Sequence, residues 1–343
     1  MGKRRIGLAG WWVAAAIIGG ASAGSAADEQ PFNVRFYAQV EAACNTVQVV
    51  RHYAYIGDGP FLRILDVATP TSPVTVGRLR LPGPFVEKIR VSGRFAYIAN
   101  GTAGLQIVDI ANPRSPVRRG GYDTTGTAES VFVSGGLAYV ADGTSGVQIV
   151  DVSNPSSPTL RGSLGTGYAA HDVFVSGNLA YVAAQYLLIF DVTNPAKPVF
   201  RSYYYSLLYY NVFISGGVAY LTATHTQPRG DLYNVLDAID VTNPDAPKFR
   251  GRYGRDASNW AGGFCISNGF AYAILGGLCI VDIRNPSSPT LRGFYPYTGL
   301  LYPRKGDVFV SGDLVYVAEV FDLQILRFTG LTAEASRHWP LYP

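Results

Sequence analysis

One phrase returns along most of this chain, and it limits what the chain can fold into. Between Val131 and Pro158 it reads VFVSGGLAYVADGTSGVQIVDVSNPSSP. VFVS is apolar and β-branched and is broken by Gly135-Gly136. LAYVA follows, then the turn Asp142-Gly143-Thr144-Ser145-Gly146. VQIVDV is the third run, stopped by Ser153-Asn154-Pro155-Ser156-Ser157-Pro158, and TLRGSL, residues 159–164, is the fourth. Glycines supply the positive φ that tight hairpins need. Prolines lack a backbone donor and end the ladder. The first three runs are nearly continuous in apolar residues, the pattern of strands buried on both faces. A lone four-stranded sheet cannot cover two faces, so each unit must be sandwiched between copies of itself.

Aligned on the second-strand tyrosine, the copies fall at Tyr55, Tyr97, Tyr139, Tyr181, Tyr220, Tyr272 and Tyr316, in steps of 42, 42, 42, 39, 52 and 44 residues. Units of four short strands at this period match propeller blades. The expectation is an all-β, seven-bladed β-propeller with four antiparallel strands per blade. A third-strand aspartate recurs as Asp66, Asp109, Asp151, Asp191, Asp240 and Asp282, with Arg327 in the seventh copy. Its recurrence reads as a fold requirement: buried acceptors that tie the proline turn to backbone donors. That turn (ATPTSP, ANPRSP, SNPSSP, TNPAKP, TNPDAP, RNPSSP) is absent from copy seven, which also lacks a fourth strand. Phe32 to Val40, FNVRFYAQV, is a surplus strand near the other end. It is expected to complete the last blade and close the ring. The propeller then spans 28–328, and 329–343 form a tail.

The phrases GLQIVDIANPRSP and GVQIVDVSNPSSP resemble the LVIVD repeat family. The resemblance covers about residues 31–328 and implies a β-propeller in a secreted or surface protein. It carries no general catalytic motif, so it transfers no active-site residue. Copy one departs most, with Arg51-His52 at the glycine turn and LRILDV as its third strand.

Lys3-Arg4-Arg5, the apolar run Ile6–Ile18 and the small residues up to Ala27 follow the order of a secretory signal peptide, residues 1–27. Cleavage is expected after Ala27, with Ala23 as the alternative. No other stretch is long and apolar enough to span a membrane. The expected location is secreted, periplasmic or cell-surface. Without residues 1–27, 25 basic residues face 24 acidic ones, so the charge gives no warrant for nucleic acid. Three cysteines, Cys44, Cys265 and Cys279, read as buried thiols. Cys265 and Cys279 lie two strands apart, about 9–10 Å and beyond disulfide reach. A Cys44 bridge to either is the alternative.

In a propeller the first strand of each blade lines the channel. The loops leading into it gather on one face with the turns between second and third strands. These loops supply Glu87, Glu129, His171, Asp172, Tyr210, Asn211, Trp260, Arg304, Lys305 and Asp307, with Lys88 beside Glu87. The turns supply Asp58, Asn100, Asp142 and Glu319. Blade five carries the one clear insertion, Thr224 to Asn234, whose His225, Arg229 and Asp231 could lean over the mouth. The competing reading is a solvated rim of paired charges. Imidazole and carboxylate suit zinc or manganese, so His171, Asp172 and Glu129 form a metal alternative. No HxH or HExxH spacing supports it, and no cofactor is expected. Tyr209 and Tyr210 close the aromatic run RSYYYSLLYYN, residues 201–211, which would stack on sugars or a protein or else pack between blades four and five. No nucleophile elbow, phosphate loop or dinucleotide fingerprint appears in a suitable setting. The functional expectation is a secreted binding or scaffold module for protein or glycan. The rival is an enzyme, with or without a metal, at the channel mouth.

Overall fold

A computed structural model describes residues 32–205, 208–226, 232–257, 260–296 and 306–330. Every named element among them is a strand, and the strands form seven four-stranded antiparallel sheets. Six sheets are built from consecutive strands. The seventh runs in the order Val34–Glu41, Asp322–Phe328, Leu314–Glu319, Asp307–Ser311. The expected closing strand is therefore in place, one residue longer at its end, with Val34 opposite Phe328 and Glu41 opposite Asp322. No helix among the described residues is long and apolar enough to cross a membrane. The leader, residues 1–27, lies outside the described residues, as does the tail beyond 330.

Burial follows position in the blade. Second and third strands are almost wholly buried, as in Phe95–Ala99 and Leu105–Asp109. First strands are half-buried toward the channel and fourth strands are mostly exposed. The first strand therefore departs from the two-faced burial its apolar run suggests, because its inner edge looks onto the axis. Between the blades lie seven apolar clusters, each holding one of the seven repeat tyrosines. All seven are buried. Burial raises the pKa of each phenol.

The recurrent aspartate accepts the backbone N–H two residues on in every copy that has it, at 2.9–3.1 Å. This short loop starts the proline turn. Only Asp109 and Asp282 are fully buried, a correction to the expectation for all six. In five of the six copies an arginine ten residues later, on the exposed fourth strand, reaches back to the aspartate. The pairs are Asp109–Arg119, Asp151–Arg161, Asp191–Arg201, Asp240–Arg250 and Asp282–Arg292.

The residue after that arginine receives the next blade. A Cβ at Gly120, Gly162 or Gly251 would lie 2.2–2.4 Å from the carbonyl oxygen of Pro155, Pro195 or Pro286, so at these three positions the close approach of the proline turn uses the missing side chain. Blade four has Ser202 there, and its hydroxyl donates to the Pro244 carbonyl at 2.5 Å. At Gly293, facing the blade without a proline turn, the neighbour is Phe328 instead.

Candidate functional site

The channel is built in tiers, which the strand register defines. The first-strand residues opposite the seven tyrosines are Gln48, Arg90, Phe132, Phe174, Phe213, Cys265 and Phe309. Half of this level is an aromatic belt. Phe132 and Phe174 have ring centroids 4.6 Å apart, Phe174 and Phe213 4.9 Å, and the Arg90 guanidinium lies 5.6 Å from the Phe132 ring.

Two residues earlier stand Thr46, Lys88, Ser130, Asp172, Asn211, Gly263 and Asp307. These side chains are spent on holding blades together. Asp307 accepts from Lys88 Nζ at 2.8 Å, Thr46 Oγ1 at 3.0 Å and the Val308 N–H at 3.1 Å, joining blades two, one and seven. Asp172 accepts from Ser130 Oγ at 2.5 Å and from the Val173 and Val212 N–H groups at 3.0 Å, joining blades three, four and five. Both aspartates open the same pentapeptide, DVFVS. Asn211 donates to the Gly262 carbonyl at 3.1 Å and so ties blade five to six. Asp172 and Asp307 thus act as staples, their oxygens engaged by neighbouring blades, and the Asn211 amide nitrogen adds one bond of the same kind.

The rim lies one residue further out. Asn45 Nδ2 donates to Glu87 at 3.5 Å, and His171 Nδ1 sits 2.8 Å from Glu129 Oε2. The His171 ring lies 5.8 Å from Tyr210, whose ring is 6.2 Å from Trp260. These groups surround a cup of about 280 Å³ lined by Asn45, Glu87, Thr127, Glu129, His171 and Tyr210, with Lys88, Ser130, Asp172 and Asn211 below. The cup brings together Glu87, Glu129, His171, Asp172, Tyr210 and Asn211 of the residues read as candidates from sequence. Arg229, Asp231, Arg304 and Lys305 lie outside the described residues.

His225 is not in the lining. The insertion lengthens the hairpin to Val218–Thr226 and Leu232–Asp240, with His225 opposite Tyr233. Its imidazole is held below its ordinary pKa by burial and then by the Arg252 charge. Arg252 forms a two-pronged pair with fully buried Asp237, which also accepts from the Tyr209 hydroxyl. Tyr209 and Tyr210 are both buried, as the packing alternative for the aromatic run has it, and not on an open stacking surface. Of the three metal candidates, His171 and Glu129 meet while Asp172 turns its oxygens into the staple. Among the described residues no three His, Cys, Asp or Glu side chains converge to hold an ion.

The turn residues hold the incoming loops. Asn100 accepts the Gly83 N–H and donates to the Phe85 carbonyl, at 2.8 and 2.6 Å. Asp142 accepts from Thr124 Oγ1 and the Gly126 N–H, at 2.6 and 2.9 Å. Asp58 accepts the Ala43 N–H at 3.1 Å. None of these three is offered to the cup. Glu319 differs. It is 6% exposed, and its Oε1 has no hydrogen-bond partner among the described residues. It stands opposite Asp322, whose Oδ1 is in the same state. Burial, then the Asp322 charge, pushes the Glu319 carboxyl from 4.5 up to about 8. The three thiols are free; Cys44 and Cys279 are buried and Cys265 is only partly so. Burial holds the Cys44 and Cys265 thiols far above the ordinary range.

Solved propellers share the shape at low identity. The beta-propeller domain of Cps50 (Swd1) from Myceliophteria thermophila is 11% identical, with a TM-score of 0.64 over 86% of this chain and 99% of that one. The WD40 beta-propeller domain of Doa1 is 10% identical, with a TM-score of 0.66 over 89% and 99%. A chain of the mitotic checkpoint complex is 11% identical, with a TM-score of 0.66 over 90% and 99%. These likenesses show the fold. No curated protein matches the sequence. The LVIVD repeat family model matches residues 43–80, 85–124, 125–166, 167–205 and 261–296. The blade with the insertion and the blade without a proline turn fall outside those matches. With more than half of its length matched, the chain belongs to the LVIVD repeat family.

Proposed function

We propose that the protein is a secreted binding module, cleaved after Ala27, that presents the cup-bearing face to a protein or glycan. The observation that carries this reading is the state of the rim. Its polar groups are held in pairs between blades, so they form a rigid, preshaped surface, and preshaping lowers the entropy cost of binding. A cup of about 280 Å³ accepts one side chain or one sugar rather than a large substrate.

The test is binding of the exported, processed protein to glycan and extracytoplasmic-protein arrays. Glu129→Ala and His171→Ala should abolish the signal with little change in melting temperature. The reading fails if these variants bind normally while Val199→Asp with Phe200→Asp, at the far end of blade four's outer strand, removes binding. A second reading rests on the His171–Glu129 contact, since a carboxylate-oriented imidazole beside a cup is also the arrangement of a general base. Turnover of chromogenic ester or glycoside panels, lost in His171→Gln, would favour an enzyme instead.

A further inference from the structure

Outside the cup, at the junction of blades three and four, four tyrosines lie together. Tyr186, in the turn between the second and third strands of blade four, is the hub. Its ring centroid is 5.3 Å from Tyr168, 5.7 Å from Tyr203 and 5.0 Å from Tyr205. Tyr168 is 43% exposed, Tyr203 55% and Tyr205 69%. Tyr168 sits three residues before His171, so the cluster continues outward from the rim.

Tyr186 packs partly against the apolar cluster between blades three and four, whereas the three exposed rings are surplus to blade packing. Ser163 pairs with Gln148 in blade three where Tyr203 pairs with Leu188 in blade four. In the preceding turn the Asp142 N–H bonds the Gly146 carbonyl, as the Ala184 N–H bonds that of Tyr186. Carried along both copies, the same alignment sets Gly126, Gly146, Ser163 and Gly165 against Tyr168, Tyr186, Tyr203 and Tyr205. Four small residues in one blade have become four tyrosines in the next, all at one place. Tyr204, between two of them, turns the other way and packs against the apolar cluster between blades four and five.

The surroundings indicate what the cluster holds. The three segments that meet there, residues 162–170, 184–190 and 202–205, contain no Asp, Glu, Lys or Arg. A charged partner would find no counter-charge, and protein interfaces add arginine and a polar rim to their aromatics. Tyrosine offers a flat apolar face and a hydroxyl. An uncharged ligand with C–H faces and many hydroxyls matches both. We propose that the tyrosine cluster is a binding platform for a neutral glycan chain, which runs from Tyr205 and Tyr203 across Tyr186 to Tyr168 and places its end at the cup. This rests on the reading of the cup-bearing face as the binding face.

Titration calorimetry with maltohexaose, cellohexaose and N-acetylchitohexaose tests it. At least one should bind. Tyr203→Ala with Tyr205→Ala should weaken it by about tenfold or more, as for interface aromatics elsewhere. The matching pair of phenylalanine substitutions should retain most of the affinity, and both pairs should melt like the parent. The proposal is overturned if no oligosaccharide binds or if the double alanine variant binds as the parent does. It is also overturned if that variant loses only a protein partner or self-association. Binding lost in Glu129→Ala but kept in the tyrosine variants would sink the platform and leave the cup reading standing. Absence of any ligand on the arrays and in the calorimeter would sink both.

Discussion

Replacing Glu319 by glutamine should stabilise the protein, by an amount that depends on pH in a defined way. The carboxyl is buried beside Asp322 and sits at about 8 in the folded state against 4.5 ordinarily. Folding at neutral pH therefore requires it to take up a proton. Each unit of separation is worth about 1.4 kcal/mol, so the cost is negligible below pH 4.5 and rises to about 3 kcal/mol at pH 7. It levels off at about 5 kcal/mol above pH 8. A raised carboxyl pKa thus makes stability fall as pH rises from 4.5 to 8. Glutamine does not titrate, so the difference between Glu319→Gln and the parent should follow that curve. These figures are upper bounds, because water reaching the ionised group softens the penalty. Urea unfolding at pH 4.5, 7 and 9 reads it, with tryptophan fluorescence as the probe. A difference that is the same at pH 4.5 and pH 9 would refute the argument, as would a glutamine variant that is less stable than the parent at pH 7.

Three further outcomes follow from the same contacts. Asp142→Ala removes both acceptors of the loop bracket and leaves the buried Thr124 hydroxyl unpaired, which should cost about 1–3 kcal/mol by denaturant unfolding; an unchanged midpoint would show that the bracket is idle. The thiols should resist a disulfide reagent in the native protein at pH 8 and all react on unfolding, and a reductant should leave the melting temperature unchanged; fast native labelling of two or more would contradict their burial. Deleting residues 32–41 uncovers the Asp322–Phe328 edge and should give early melting with self-association by light scattering, whereas a stable monomer would refute closure by this strand.

The blades were legible in the sequence because the phrase is written seven times, and the noise of any one copy cancels. Closure was legible from two local facts, a missing fourth strand and a surplus one. The Arg-Gly pair of the fourth strand escaped notice because its role is relational. The arginine serves the aspartate ten residues before it, and the glycine serves the proline of the next blade. Six of the candidate residues of the mouth meet around one cup, yet their roles were not separable in the sequence. His171 and Asp172 are neighbours in the chain, but strand alternation turns one to the rim and the other into the staple. The tyrosine run was likewise read as one unit. Alternation sends Tyr203 and Tyr205 outward and Tyr204 in, Tyr209 and Tyr210 both go in because the next strand shifts register there, and Tyr168 and Tyr186 join only through the fold.

The closing strand also sets a clock. Its partner Phe328 is made almost three hundred residues after Val34. At about 5–20 residues per second, the strand waits on the order of ten seconds to a minute for its place. Such long-range pairing is the slow kind. Meanwhile six blades can assemble by neighbouring contacts alone, leaving one ribbon at each end of an open arc. The risk in that interval is the wrong ribbon, one supplied by another molecule in the same unfinished state. Arg35 and Glu41 on the waiting strand, and Arg327 on the edge it must find, put charge on both ribbons. Charge of this kind disfavours edge-to-edge pairing between molecules. Ring closure in this chain is then a race between a strand's own last blade and its neighbours', and high protein concentration is where it would be lost.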